Sequence, residues 1–74
     1  MNYEAIVIEV LQSMGSGSGE AHSEQQLFGE ILRRYPKLLD GDNQSKLRAA
    51  IKSLVQKGTI VHDSIKTDWI QLKN

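Results

Sequence analysis

The stretch Leu47-Arg48-Ala49-Ala50-Ile51-Lys52-Ser53-Leu54-Val55-Gln56-Lys57-Gly58-Thr59-Ile60-Val61 decides how this chain folds. Leu47, Ala50, Ile51, Leu54 and Val55 recur at the three- and four-residue intervals of one helical face, so the segment opens as an amphipathic helix. Gly58 closes that helix, because glycine takes the left-handed conformation a helix C-terminus favours. Thr59-Ile60-Val61-His62 follows at once, β-branched and short, the composition of a strand. Upstream, Asp40-Gly41-Asp42-Asn43 reads as a turn followed by a helix cap, which places the helix at about 43–57. Downstream, Asp63 to Thr67 is polar apart from Ile65, and Trp69-Ile70-Gln71-Leu72 resumes the β pattern, predicting a hairpin over about 59–72.

Toward the N-terminus, Tyr3, Ile6, Val7, Val10, Leu11 and Met14 mark a first helix over about 2–14, with Asn2 as its cap. Gly15-Ser16-Gly17-Ser18-Gly19 ends it in a flexible loop, since alternating Gly and Ser resist ordering and offer nothing to pack. Ser23-Glu24-Gln25-Gln26 fits a capping box, and Leu27, Phe28, Ile31, Leu32 and Tyr35 supply the apolar stripe of a second helix over about 23–35. Arg33 and Arg34 occupy its last turn, where cations suit the helix dipole, and Pro36 stops it. Leu38 and Leu39 in the connection are expected to plug the core. The expected fold class is α+β: a three-helix bundle with a C-terminal two-stranded β-hairpin, forming a single domain over residues 1–74.

Length and composition bound the function. A chain of 74 residues buries roughly 60% of its unfolded surface and has little to spare for a second core. Seven Ile, eight Leu and four Val against one Trp, one Phe and two Tyr make the composition aliphatic, enough for one packed core. With no cysteine there is neither a disulfide framework nor a thiolate metal site. The longest apolar run, Ala5-Ile6-Val7-Ile8, is far short of the roughly 18 residues that would cross a bilayer. No basic segment leads into an apolar one at the N-terminus, so the expectation is a soluble, intracellular chain with no membrane association. Asn43-Gln44-Ser45 matches a glycosylation sequon, which matters only in a secreted protein.

Catalytic and metal chemistry find little purchase. His22 and His62 lie far apart with no ligand-spaced partner, so no metal site is expected. Asp40, Asp42 and Asn43 resemble the opening of a calcium loop, but Gly41 falls between the two aspartates and Ile51 stands where a bidentate acid is needed. Gly15-Ser16-Gly17-Ser18-Gly19 spells a nucleophile elbow, yet it follows a helix instead of a strand. No enzyme activity, cofactor or small-molecule substrate is expected, and Met14 and Trp69 read as packing residues.

Three helices followed directly by a hairpin resemble the winged-helix variant of the helix-turn-helix. The residues that carry the likeness are Leu47 to Val61, similar to the last helix, Lys-Gly turn and first wing strand of that superfamily, and Trp69-Ile70-Gln71-Leu72, similar to the second wing strand. Linker-histone-like chromatin domains are the nearest relatives by this likeness, although those are strongly basic and this chain is neutral. The resemblance implies duplex-DNA binding, with the third helix in the major groove and the wing on phosphate or in the minor groove. It also implies a nuclear location and a role in chromatin or transcription regulation.

Charge placement bears on this independently. Nine basic and nine acidic residues cancel overall, but residues 1–32 carry five acids and no Lys or Arg, while residues 33–74 carry nine bases and four acids. The halves therefore stand at −5 and +5. Steps of about 100° per residue from a core centred on Leu47, Ile51 and Leu54 send Gln44, Ser45, Arg48, Lys52 and Gln56 to the opposite, solvent face. Arg and Lys bind phosphates or the guanine edge, Gln pairs with adenine and Ser with phosphate. With Lys46 on the same helix, Arg33 and Arg34 at the end of the second, and Lys66 at the wing tip, these make the candidate DNA-binding set. Lys46, Arg48, Lys52 and Lys57 are expected to lack acidic neighbours until Asp63. Any solvated helix face carries the same residue types, and the acidic first half or the wing can instead dock a protein partner.

Overall fold

The computed structural model describes residues 2–15, 21–63, 65 and 69–73. Their order is α1 (Tyr3–Ser13), β1 (His22–Ser23), α2 (Glu24–Arg34), a 3-10 turn (Pro36–Leu38), α3 (Gly41–Lys57), β2 (Ile60–His62) and β3 (Trp69–Leu72). The architecture is α+β, three helices packed with a three-stranded antiparallel sheet in the order β1-β3-β2. Most of the expected loop at Gly15–Gly19, from Ser16 on, lies outside the described residues.

Local chemistry explains where each helix starts. Asn2 is extended and its side-chain oxygen accepts from the Ala5 amide at 3.1 Å, satisfying one of the donors a helix N-terminus leaves open. At α2 the capping box is closed both ways: the Gln26 amide donates to Ser23 Oγ at 3.1 Å, and the Ser23 amide donates to Gln26 Oε1 at 3.3 Å. Helix α3 begins two residues earlier than its sequence reading. Asp40, not a residue after it, is the cap, accepting from the Asn43 amide at 2.8 Å. Gly41 and Asp42 therefore belong to the first helical turn. At the other end Gly58 has φ +80°, the left-handed stop expected of it.

Strand β3 holds the centre of the sheet. Leu72 faces Ile60, Gln71 faces Val61, and Ile70 lies between His62 on one side and His22 on the other. Alternation along β3 buries Ile70 and Leu72 and leaves Trp69 and Gln71 at the surface of the sheet, the two-residue period of a half-buried strand. The sheet has one strand more than sequence reading expects. His22–Ser23 is too short and too polar to announce itself, and it becomes a strand because β3 offers an open edge. Ser23 serves both elements, since the extended backbone that pairs with Trp69 is also the geometry an N-cap requires.

The core lies where α1, α2 and α3 meet the sheet's inner face, with Val7, Val10, Leu11, Leu27, Ile31, Leu47, Ile60 and Ile70 fully buried. Tyr3, Met14, Phe28, Leu32 and Val55 rim it. The connection between α2 and α3 contributes one leucine, not two. Its 3-10 turn sends Leu38 inward and leaves Leu39 63% exposed.

Candidate nucleic-acid interface

The buried residues of α3, Leu47, Ala50, Ile51 and Leu54, put its core side on one arc, and the remaining positions fall on two flanks and a back. Ser45, Ala49, Lys52 and Gln56 are exposed along the back. Arg48 is exposed on the flank facing α2, and its guanidinium carbon lies 5.5 Å from the centre of the Phe28 ring. That distance is within cation–π range. Lys46 and Lys57 occupy the opposite flank, toward the start of α1.

Those two flanks differ in charge. Lys57 Nζ donates to Glu4 Oε1 of α1 at 2.8 Å. Lys46 lies 3.4 Å from Asp42 one turn earlier and 6.0 Å from the centre of the Tyr3 ring. An open groove on this side is lined by Asn2, Tyr3, Glu4, Lys46, Ala49 and Ser53. The expectation that the bases of this helix lack acidic neighbours therefore fails for Lys46 and Lys57. Asp42 joins the helix and reaches Lys46 at the i, i+4 spacing, and the fold brings Glu4 to Lys57 from 53 residues away. On the other side, neither Arg48 nor Lys52 has a carboxylate within ion-pair distance among the described residues.

The rest of the candidate set is uneven. Gln44 is half-buried, and its side-chain amide donates to the Leu39 carbonyl at 2.8 Å. It sits only about 70° from the centre of the core arc, so it braces the turn before α3 and does not stand on the solvent face. Arg33 and Arg34 converge on one acid: Arg33 pairs closely with Glu30, and Arg34 Nε lies 3.4 Å from the same oxygen. The hydrogen bond from Arg33, helped by the charges of both arginines and opposed by desolvation, holds the Glu30 carboxyl below its ordinary pKa. The acid therefore stays ionised to lower pH than an unpaired glutamate would, and the pair of arginines presents one net positive charge instead of two. Lys66, expected at the wing tip, lies outside the described residues.

Among the described residues, acids from the first half of the sequence meet bases from the second half. Glu4 on Lys57 and Glu30 on both arginines mix the signs. Three contacts here escape sequence reading, Glu4 on Lys57, Arg48 on Phe28 and the Tyr3 hydroxyl donating to Asn43, because each joins separate helices. Asn43 also donates to Asp40 at 2.9 Å, so the sequon asparagine is engaged in the start of α3.

Among the described residues no group of three His, Cys, Asp or Glu is placed to hold a metal ion, and no helix is long and apolar enough to cross a membrane. Compared with known protein families, with curated proteins and with solved structures, the chain matches none.

Proposed function

We propose that this chain is a non-enzymatic winged-helix module that binds duplex DNA through α3, with β2 and β3 as the wing. The observation that carries the reading is the exposed Arg48–Lys52 face, which keeps its positive charge while the opposite flank is neutralised. An unpaired Arg or Lys can displace a condensed counterion from a phosphate, and it keeps its N–H donors for a base edge. Ser45 and Gln56 lie along the same exposed back and supply neutral donors and acceptors. Element order supports the fold half of the reading, since three helices are followed by an antiparallel β2–β3 pair. A nuclear location and a regulatory role in chromatin belong to the same proposal and rest on the resemblance.

Zero net charge sets the expected strength. With few phosphates neutralised, affinity is modest and falls as salt rises. Fluorescence anisotropy of a labelled duplex at two salt concentrations tests this. Arg48→Ala with Lys52→Ala is expected to weaken binding at least tenfold at low salt and to flatten the salt slope by about 2, one step per lost phosphate contact. Lys46→Ala with Lys57→Ala is expected to change it much less. Unchanged affinity in the first variant would sink the proposal.

A second reading has its own observation. Leu39 and Ile65 are 63% and 87% exposed, large apolar side chains that a module docking a partner peptide or subunit would cover. Wild-type protein that fails to bind duplex DNA even at low salt favours this reading.

A further inference from the structure

We infer that Phe28, on α2, is a positioning residue for DNA recognition: its ring holds the Arg48 guanidinium in a bound-ready orientation. This rests on the proposed role of the Arg48–Lys52 face and adds a residue no charge-based reading selects. The observation is the 5.5 Å approach of the Arg48 guanidinium carbon to the Phe28 ring, made by a half-buried aromatic that is itself packed against the core.

The way each arginine is held decides what it can still do. Arg33 spends its donors on Glu30, through both Nε and a terminal nitrogen. A guanidinium held by a ring uses its π face instead, and its five N–H donors lie in the plane, free for phosphate or base. Ordering the long arginine side chain before DNA arrives removes part of the rotamer entropy that binding would otherwise cost. Phe28 is anchored where α2 meets the core, beside buried Leu27 and one turn before buried Ile31, so it provides a fixed platform. Lys52, one turn beyond Arg48, is expected to gain nothing from the ring.

A double-mutant cycle between Phe28→Leu and Arg48→Ala, read by duplex-DNA anisotropy, tests the inference. Leucine keeps the apolar packing and removes the ring's quadrupole. Phe28→Leu is expected to weaken binding about two- to fivefold, the equivalent of one exposed cation–π contact. In an Arg48→Ala background the same change is expected to have no effect, whereas a merely structural role for Phe28 would persist there. Arg48 side-chain proton shifts in the free protein give a second readout, since a ring current moves them upfield in wild type and not in Phe28→Leu. If Arg48→Ala weakens binding and Phe28→Leu does not, or if the two losses simply add, the inference falls and the proposed function stands. If wild type shows no binding at low salt, both fall. Circular dichroism of Phe28→Leu confirms that the fold is retained, and Phe28→Tyr, which keeps the ring, is expected to bind like wild type.

Discussion

The two flanks of α3 start from the same chemistry and end differently. Each carries two positive side chains on one helix, Lys46 and Lys57 on the side of α1, Arg48 and Lys52 toward α2 and the back. On the first flank a neighbouring carboxylate meets each cation, Asp42 for Lys46 and Glu4 for Lys57. On the second, Arg48 meets an aromatic ring and Lys52 meets solvent. Net charge and even charge per helix are therefore poor guides to a binding face. What matters is which cations the fold leaves without an internal partner, because only those have their full charge and donors to offer another molecule.

The comparison breaks most completely if the helix loses its seat. Leu47 is fully buried between the two flanks, and Leu47→Ala removes side-chain volume that its neighbours only partly refill. A loss of about 2–5 kcal/mol is expected, measured by urea or thermal unfolding, and in so small a domain this abolishes both flanks together. A smaller effect is expected at the start of the helix. Asp40→Ala removes the cap that draws Gly41 and Asp42 into the first turn, at about 1 kcal/mol. If the first turn frays, Asp42 leaves Lys46, and that flank becomes more like the other, an outcome visible as faster amide exchange at residues 43 and 44.

The smallest effect sharpens the contrast directly. Glu4 and Lys57 form a partly exposed pair, for which a double-mutant cycle is expected to return about 0.2–1 kcal/mol, shrinking as salt is added. Freeing Lys57 by Glu4→Gln is expected to strengthen duplex binding slightly while leaving the Arg48–Lys52 contribution unchanged. Equal dependence of binding on both flanks in the wild type would show that internal pairing does not select the binding face.

Much of the framework was legible because its signals are local. The Ser23–Gln26 capping box, the Asn2 cap and the Gly58 stop each depend on residues within about one turn, and the structure places them as the sequence implies. The same locality made Asp42 with Lys46 and Glu30 with Arg33 and Arg34 readable in principle from i, i+3 and i, i+4 spacing. Charge summed over halves of the chain hides them, because an ion pair depends on spacing within a turn. Sequence reading starts α3 two residues late because Asp40, Asp42 and Asn43 are all competent caps, and only backbone geometry chooses among them. Strand β1 had no local signal, being two polar residues recruited by the edge of β3.

For this chain, residue order alone determined three amphipathic helices, their stops and a terminal β segment, since hydrophobic period and capping chemistry act over one or two turns. Tertiary structure decided which face of α3 stays charged. Glu4 reaches Lys57 across 53 positions and Phe28 reaches Arg48 across 20, contacts set by how α1 and α2 pack on α3 around Leu27, Ile31 and Leu47. Direct ion pairs form within about 4 Å and cation–π contacts within about 6 Å, so which charges are quenched is settled by packing and cannot be read from composition.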